Sequence, residues 1–176
     1  MSDNARRERF EQTILPHLDA AYNLARWLTR NDQDAQDVTQ EACLRAFRFF
    51  DGYQGGNMRS WLLTILRNTC YTWLHQNRRA DSTEEFNEEI HSSQISGSAD
   101  PEIQVLASAD KETLNRALED LPDMFREALV LREMEGMSCQ EIADVTSAPL
   151  GTVMSRLAQA GTRLRQSLSV ELSRGY

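Results

Sequence analysis

Hydrophobic positions recur at helical spacing along most of the chain. Residues 6–28 carry one apolar stripe at steps of three and four: Phe10, Ile14, Leu18, Tyr22, Ala25 and Leu28. This spacing predicts a helix, which Pro16 should kink because proline removes a backbone hydrogen bond. A second helix is predicted over residues 34–50, with Val38, Ala42 and Ala46 inward. No stretch has the alternation of a strand, so the pattern predicts an all-α fold.

A third helix is predicted over residues 60–77, after a glycine-rich loop at 51–57. Its apolar face is predicted to consist of Trp61, Leu62, Ile65, Leu66, Thr69 and Trp73. A second stripe combines bases, amides and rings and lacks acids: Thr64, Arg67, Asn68, Tyr71, His75 and Arg78. Such a surface suits unpaired bases, because rings stack and arginine holds phosphate. The alternative is a solvated polar face without acids.

The pattern breaks over residues 81–99, which are rich in acid and serine and offer little to bury. We predict a flexible linker there, between a helical domain at 1–80 and a second one at 100–176. The second domain is predicted to begin with a helix near Asp100, whose apolar positions are Ile103, Leu106, Leu114, Leu118 and Leu121. A further helix is predicted over 123–135, with Phe125, Ala128, Leu129 and Leu131 inward.

Residues 138–157 read as two short helices joined by a tight turn. Ser138 and Glu141 have the spacing of a capping box, and Ala143 is small enough for another helix to cross closely. Pro149 suits the first turn of the next helix, which should bury Leu150, Val153 and Leu157. This pattern predicts a helix-turn-helix, although an ordinary helical hairpin would share it. The following helix is predicted to reach residue 172, with Gly161 as a weak point.

The charged residues are distributed unevenly along the chain. The 176 residues carry a net charge of -8, but two segments contain no acid at all, namely residues 52–80 and 149–170. The first contains Arg59, Arg67, Arg78 and Arg79, and the second contains Arg156, Arg163 and Arg165. Because a phosphate backbone meets a local face and not the total charge, DNA binding stays open.

The three cysteines, Cys43, Cys70 and Cys139, form no C-x-x-C pair, and the three histidines show no ligand spacing. We therefore expect reduced thiols, no metal site and no cofactor. No apolar run reaches the ~18 residues of a membrane span. A cytoplasmic protein is expected.

Three stretches together resemble a known family. Residues 34–47 resemble region 2.2 of the extracytoplasmic-function (ECF) group of bacterial sigma-70 factors, and residues 61–69 resemble the start of its promoter-melting helix. The stretches that resemble region 4 of the same family are Leu121-Pro122, Leu131-Arg132, Glu135-Gly136, Ser138, 141–143 and 151–157. The three stretches occur in the family's order, with a linker where the family has one.

This resemblance implies a non-enzymatic role in transcription initiation, with core RNA polymerase and promoter DNA as partners and no small-molecule substrate. The face that would dock on polymerase carries Asp37, Val38, Gln40, Glu41 and Leu44. Together with loop 52–58, the residues implied for the -10 element are Tyr53, Arg59, Arg67, Asn68, Tyr71, His75, Arg78 and Arg79. Those implied for the -35 element are Thr152, Met154, Ser155, Arg156, Gln159 and Arg163.

The resemblance also implies an anti-sigma partner, often membrane-anchored in this group. One departure concerns Met154, Ala158 and Gln159, where the family often carries basic or aromatic groups. The base preference of this helix is therefore not implied by the resemblance.

Three other function classes stay open on the sequence. A helix-turn-helix regulator that acts without polymerase would explain residues 138–165 but not the stripe on the third helix. An enzyme of nucleic acid would need clustered carboxylates, a nucleophile–base pair or a phosphate-binding glycine loop, none of which the sequence shows. A pure interaction scaffold would show no DNA-dependent transcription.

Overall fold

The computed structural model describes residues 2–78 and 110–174, which belong to two compact helical units. All regular structure within these residues is helical, as predicted. The first unit contains α1 (Asp3–Ile14), α2 (Leu18–Thr29), α3 (Asp32–Arg48) and α4 (Met58–Arg78). The second contains α5 (Lys111–Glu119), α6 (Asp123–Leu129), α7 (Cys139–Thr146) and α8 (Leu150–Arg174). The predicted linker and the predicted helix start near Asp100 lie outside the described residues. The later apolar positions of that prediction, Leu114 and Leu118, fall on α5, which begins at Lys111 after the non-helical cap Asp110.

In the first unit α2, α3 and α4 pack against one another in pairs. The interior is formed by Leu24, Leu28, Ala35, Val38, Ala42, Ala46, Leu62, Leu63 and Leu66, each at most 2% exposed. The predicted inward residues of α3 are therefore confirmed. Burying this apolar surface is the main favourable term of folding, at roughly 25 cal/mol per Å².

Pro16 interrupts the first predicted helix more strongly than a kink would. A 3-10 turn at Leu15–His17 separates α1 from α2, with proline in its first turn. Proline has no N–H to give to the preceding turn, so the α-helical ladder stops at Ile14. The predicted stripe nevertheless holds on both sides, because Phe10, Ile14, Ala25 and Leu28 are buried.

The bounds of α3 differ from the predicted ones at both ends. Asn31 caps its start by accepting the Asp34 N–H at 3.0 Å, so the helix begins at Asp32. It ends at Arg48, and Phe50 belongs to a separate 3-10 turn, Phe50–Gly52.

The buried side of α4 is rotated from the predicted one. Leu62, Leu66 and Thr69 are buried as predicted, but Trp61, Ile65 and Trp73 are only partly buried. Their places in the interior are taken by Leu63, Cys70 and Leu74. Large rings have the area to lie along the flank of a helix, where one face stays wet, so their presence does not mark the centre of the apolar stripe.

In the second unit α5 and α6 both pack on the long helix α8. Asp110 caps α5 by accepting the Thr113 N–H at 2.7 Å, and this hydrogen bond lowers the pKa of Asp110. The inward residues predicted for 123–135 are all buried: Phe125, Ala128, Leu129 and Leu131. The helix itself does not run to residue 135, because a π-helical turn occupies Val130–Met134 before Gly136 at φ +64°.

Arg126 is a fully buried cation in this unit, and the sequence reasoning did not find it. Its guanidinium donates to the Leu121 carbonyl at 2.5 Å and the Glu119 carbonyl at 3.3 Å, and to Asp123 Oδ1 at 2.5 Å. These acceptors belong to the connection between α5 and α6. Arg126 therefore fixes the position at which α6 follows α5, with its charge matched by Asp123.

The capping box of the helix-turn-helix is confirmed. Ser138 N–H donates to Glu141 Oε1 at 3.2 Å, and Glu141 N–H donates to Ser138 Oγ at 3.1 Å. Ala143 is buried. Between the two helices Ser147 takes a left-handed conformation at φ +54°.

The apolar stripe of α8 begins later than predicted. Val153 is buried, but Leu150 is 42% exposed and Leu157 is only partly buried. The buried side continues through Ala160, Leu164 and Leu168. Leu150 is the first residue of α8. Gly161 does not break the helix, which is continuous to Arg174.

Replacing Arg126 by alanine should destabilise the second unit by about 3–5 kcal/mol, because Asp123 and two buried carbonyls lose their partner. Arg116→Ala is the matched control, since Arg116 is 57% exposed in a 3.7 Å ion pair with Glu171, which should cost no more than about 1 kcal/mol.

The three tryptophans, Trp27, Trp61 and Trp73, all belong to the first unit. Urea unfolding followed by tryptophan fluorescence should thus be unchanged by Arg126→Ala, while the far-UV circular dichroism transition moves to lower urea. Equal dichroism curves for the two variants would contradict a stabilising role of the buried cation.

Candidate polymerase-docking and nucleic-acid surfaces

The outer face of α3 combines acids, an amide and one exposed leucine. Asp37, Gln40 and Glu41 are exposed, and Leu44 is 65% exposed. The acids are held from within the helix, since Gln33 Nε2 donates to Asp37 Oδ1 at 3.1 Å and Arg45 Nε to Glu41 Oε1 at 3.1 Å. Ordered polar side chains thus surround the exposed Leu44 side chain. A polar rim around an apolar centre is the composition of a protein-contact surface.

Val38 does not share this face. Its side chain is 2% exposed and belongs to the interior of the first unit. The expectation that Val38 contacts polymerase therefore needs correction. A residue that faces the core supports the position of α3 but has no surface to offer a partner.

The loop between the Phe50–Gly52 turn and α4 is shaped by two glycines and two hydrogen bonds. Gly55 and Gly56 have φ of +90° and +95°, which side chains rarely allow. Tyr53 closes the loop by donating its hydroxyl to the Gly56 carbonyl at 2.8 Å. Asn57 then starts α4 by accepting the Ser60 N–H at 3.2 Å. The ring of Tyr53 is therefore fixed where the loop meets the helix.

The polar stripe predicted on α4 reaches the surface of the first unit, although its residues differ in exposure. Asn68 and His75 are exposed, whereas Arg67 and Tyr71 are partly buried. The Arg67 guanidinium carbon lies 4.4 Å from the centroid of the Tyr71 ring, a cation–π contact. Within the described residues the Asn68 amide makes no hydrogen bond, so it does not bridge or cap backbone there.

The other residues of α4 and its stripe add little to this surface. Thr64 uses its hydroxyl inside the helix, donating to the Ser60 carbonyl at 2.7 Å. Arg59 lies in the first turn of α4 and is partly buried. Arg78 is the last residue of α4, and Arg79 lies outside the described residues.

The residues expected to contact -35 DNA lie on one helix but differ in exposure. Met154 is 47% exposed, while Thr152, Ser155, Arg156, Gln159 and Arg163 are all partly buried. Gln159 Nε2 donates to Ser155 Oγ at 3.0 Å, which orders both side chains. Arg163 lies over the Phe125 ring at 4.8 Å and is thereby tied to the interior of the unit. The outermost groups of the first turns are apolar, namely Leu150 and Met154.

A small cleft in the first unit was missed from the sequence. It has a volume of about 120 Å³ and is lined by Arg6, Arg9, Phe50, Asp51 and Tyr53. Arg6 and Arg9 are three residues apart and so share one face of α1, a spacing that could have pointed to a paired basic feature.

Other groups add no chemistry of their own. Burial raises the pKa of the Cys43 thiol, which disfavours its reactive thiolate form. Across residues 2–78 and 110–174, no cluster of three metal-ligating side chains is present. Over the same stretches, no helix combines the length and hydropathy that crossing a bilayer requires.

Comparison with protein families identifies both units. The family model for sigma-70 region 2 matches residues 13–80, and the model for sigma-70 region 4 matches residues 111–164. Each match falls on one of the two helical units. The chain also resembles the ECF RNA polymerase sigma factor SigE of Mycolicibacterium smegmatis, with 34% identity over 167 residues. That alignment covers 95% of this chain and 64% of the Mycolicibacterium protein.

A second relative is the ECF RNA polymerase sigma-E factor of Escherichia coli, 35% identical over 133 residues, which cover 72% of this chain and 70% of that protein. Among solved structures, the sigma factor RpoE of Bartonella quintana, in complex with the anti-sigma factor NepR, has a TM-score of 0.71 at 29% identity. It covers 93% of this chain and 99% of that one. CnrH, in complex with the cytosolic domain of CnrY, supports the fold alone, with a TM-score of 0.63 at 23% identity over 97% of this chain and 91% of that one.

The chain belongs to the ECF group of the sigma-70 family of RNA polymerase sigma factors. Family membership confirms the resemblance drawn from the sequence. It also confirms that the protein is a transcription initiation factor with a helix-turn-helix and not an enzyme.

Proposed function

We propose that this chain binds core RNA polymerase through the outer face of α3, recognises the -35 element with α8, and holds unpaired bases of the -10 element on α4. The observation that carries the proposal is the exposed Asn68 amide beside the Arg67–Tyr71 pair, on an acid-free helix of a region 2 fold. This surface has the groups that an unpaired base needs, and the Arg67 guanidinium is already held over the Tyr71 ring.

The docking step rests on α3. An exposed leucine surrounded by ordered acids and an amide suits a partner helix with basic and apolar residues. We assign Asp37, Gln40, Glu41 and Leu44 to this contact. Val38 acts only by supporting the helix from beneath.

The melting step rests on α4 and on the loop before it. Opening a duplex costs a few kcal/mol in unstacking, which the protein must offset by holding the released bases. Asn68 can donate and accept, so it can read a base edge, while Tyr71 offers a ring and Arg67 a phosphate partner. Tyr53, Arg59, His75, Arg78 and Arg79 are assigned to the path of the same strand.

The -35 step rests on α8. A recognition helix reads the major groove through side chains near its N-terminal end, where Thr152, Met154, Ser155, Arg156 and Gln159 lie. Arg163 lies further along, where phosphate contact is more usual than base contact. The exposed Met154 is apolar and would favour contact with a thymine methyl group over a guanine.

The relatives support a proposal about regulation and location. The RpoE structure of Bartonella quintana contains the anti-sigma factor NepR, and the likeness covers nearly all of both chains. We propose that an anti-sigma protein, which in this group is often membrane-anchored, also binds the present chain. A protein that works with RNA polymerase would act in the cytoplasm.

Run-off transcription with core RNA polymerase, this chain and a library of promoters tests the proposal as a whole. Transcripts that require both core and chain, from promoters that share two spaced elements, would support it. Sequence-specific DNA binding by the chain alone, with no change on adding core polymerase, would favour a helix-turn-helix regulator that acts without docking.

Leu44→Ala should weaken the binding of core polymerase by about 1–2 kcal/mol, because an apolar contact at the centre of an interface is lost. The matched control is Leu15→Ala, since Leu15 is similarly exposed at 60% but lies in the turn between α1 and α2. Titration of labelled chain with core polymerase measures both affinities. Equal affinities would remove α3 from the docking surface, and thermal unfolding should be alike for the two variants.

Asn68→Ala should leave core binding and -35 contact intact but reduce open-complex formation. The reason is that the base edge held by the amide loses its hydrogen-bond partner, which costs about 1–3 kcal/mol for a side chain that reads a base. Permanganate reactivity of unpaired thymines on a duplex promoter measures this. A promoter with a pre-opened bubble should rescue the variant, because the cost of opening is then removed.

The control for Asn68→Ala is Asn77→Ala, since Asn77 is also exposed on α4 but donates to the Trp73 carbonyl at 2.8 Å. Wild-type thymine reactivity in Asn68→Ala would refute the assigned role.

Arg156→Ala should weaken the binding of holoenzyme to promoters with a -35 element by about 1–3 kcal/mol if the side chain reads a base. Replacement of individual -35 base pairs then shows the position at which discrimination is lost. A uniform loss over all sequences would make Arg156 a phosphate contact. No loss would exclude this helix from the groove, and Arg116→Ala serves as a charge-matched control on α5.

A further inference from the structure

The N-terminal helix α1 is attached to the first unit by few side chains. Of its twelve residues only Phe10 and Ile14 are buried. The family model for sigma-70 region 2 begins at residue 13, so nearly all of α1 lies outside the matched part of the chain. One further contact, made by Arg6, reaches the turn Phe50–Gly52, which immediately precedes the loop at residues 53–57. The placement of that turn therefore involves α1.

The Arg6 side chain bridges two parts of the backbone. Its Nη2 donates to the Phe47 carbonyl at 2.7 Å, near the end of α3, and its Nε donates to Asp51 Oδ1 at 3.0 Å, in the turn. The guanidinium also lies over the Phe47 ring, 4.4 Å from its centroid. Because a planar guanidinium presents its donors in a rigid fork, it constrains the relative position of two acceptors. Arg6 therefore constrains the direction in which the chain leaves α3.

Aromatic rings connect this bridge to the loop. The Phe10 ring meets the Phe47 and Phe50 rings edge to face, at centroid distances of 5.2 and 5.3 Å. The Phe50 ring lies nearly parallel to that of Tyr53 at 6.2 Å, and the Tyr53 ring contacts Trp61 of α4 at 5.3 Å. Such ring pairs prefer particular arrangements. A displaced turn would therefore displace Tyr53.

The loop itself has little to hold it in place. A β-carbon added at Gly55 or Gly56 would meet nothing within 4 Å, so this part of the loop faces open space. Tyr53 holds the loop by donating its hydroxyl to the Gly56 carbonyl at 2.8 Å, and Asn57 ties its other end to α4. Of these two anchors, Tyr53 is the one that α1 reaches through the rings.

The Arg6–Asp51 pair is expected to contribute little to stability. The Asp51 side chain is 78% exposed, and ion pairs at such exposure are weak because water screens them. The effect of the pair is therefore mainly geometric, since it favours one position of the turn. A positioning role can thus be lost while the unit stays folded, which separates it from a structural role.

We propose that Arg6 is a positioning residue for promoter recognition. From α1 it holds the Phe50–Gly52 turn and, together with Phe10, places Tyr53 and loop 53–57 for contact with the -10 element, without touching DNA itself. This proposal rests on the proposed function, which assigns the loop to that element. It gives α1 a part in -10 discrimination, although α1 contributes none of the residues assigned to DNA.

The first test observes the loop in the free, full-length chain. With 3-fluorotyrosine at its four tyrosines, the fluorine resonance of Tyr53 is identified by its loss in Tyr53→Phe. Arg6→Asp should shift or broaden this resonance, because the turn loses its bridge to α3 and Asp51 is repelled. The resonances of Tyr22 on α2 and Tyr71 on α4 should stay in place, which shows that the unit is folded.

Two further variants complete this test. Arg7→Asp is the matched control, with the same charge change on α1, because Arg7 pairs with Glu11 of the same helix at 3.1 Å. The reversed pair, Arg6→Asp with Asp51→Arg, should return the Tyr53 resonance toward its wild-type position, since an ion pair again joins α1 to the turn. If Arg6→Asp unfolds, Arg6→Gln replaces it, because it removes the charge without repulsion.

The second test uses holoenzyme made from core polymerase and the full chain, with each base pair of the -10 element replaced in turn. A base pair that is read should change the affinity of wild-type holoenzyme about 5- to 150-fold. In Arg6→Asp this ratio should fall toward one at the positions that the loop contacts, and the reversed pair should restore it. Discrimination at the -35 element and the affinity for core polymerase should not change.

The outcomes separate this proposal from the one on which it rests. An unmoved Tyr53 resonance in Arg6→Asp would overturn the positioning role, whatever the holoenzyme does. Unchanged -10 discrimination despite a displaced resonance would overturn it as well, and equal losses at both promoter elements would make Arg6 a structural residue only. Wild-type holoenzyme without any -10 discrimination would instead overturn the proposed function, and the resonance of the free chain would still show whether α1 positions the loop.

Discussion

The seam of small residues along α3 is the constraint on which the first unit depends. Ala35, Ala42 and Ala46 are at most 1% exposed, and together with Val38 they line the side of α3 that faces α2 and α4. Alanine brings backbones close and loses no side-chain entropy on burial. Any other rotation of α3 would replace these small residues by larger polar ones at the contact with α2 and α4. The set of residues on the outer side of α3 is therefore determined as well. Position on α3 therefore determines which residues a partner can meet, as the contrast between Leu44 and Val38 shows.

The second unit reaches rigidity by a different route. It contains a buried guanidinium whose acceptors are two carbonyls of a chain connection and one carboxylate. Breaking such an arrangement leaves uncompensated charge and unpaired carbonyls, so alternatives in which α6 shifts along its neighbours are disfavoured. Phe125, which precedes this arginine, also supports Arg163 of α8 from below. The interior of the unit thus connects the α5–α6 turn to the helix proposed to enter DNA.

Helical periodicity in the sequence was sufficient for the order of the described helices but not for their number, since one helix predicted over residues 6–28 is two, separated at Pro16. The spacing of Ser138 and Glu141 was sufficient for the capping box. Periodicity was not sufficient for the rotation of α4. Leucines and tryptophans occur on more than one face of that helix, so spacing alone does not define its buried side. Only tertiary packing decides that Leu63 and Leu74 are inside while Trp61 is at the edge. Helix ends were predicted less well than helix interiors, since Leu150 has the right spacing but, as the first residue of α8, is 42% exposed. A buried arginine is rare enough that no pattern would favour it over an exposed one.

The site residues divide along the same line. Those proposed on helix faces, such as Asn68 and Met154, are exposed as their spacing predicts, because a face is a local property. The cleft at Arg9 could not be found from spacing, because it depends on α1 meeting a turn some forty residues later, as the Arg6–Asp51 pair shows. Long-range contacts of this kind appear in a sequence only as isolated charges and rings.

Charge distribution links the two domains to a function that needs a partner. The net charge of -8 opposes long-range attraction to DNA, and residues 81–120, which hold 11 acids and 2 bases, account for all of it. At physiological salt the screening length is about 8 Å, so an acid-free helix face acts on a phosphate only at contact. Such faces suit DNA that another protein has already brought close and opened. Free DNA, in contrast, would be attracted by a broad basic surface, and neither unit is built with one in the residues described. On the proposed function, core polymerase supplies the missing attraction, and the sigma factor supplies contacts that discriminate between sequences.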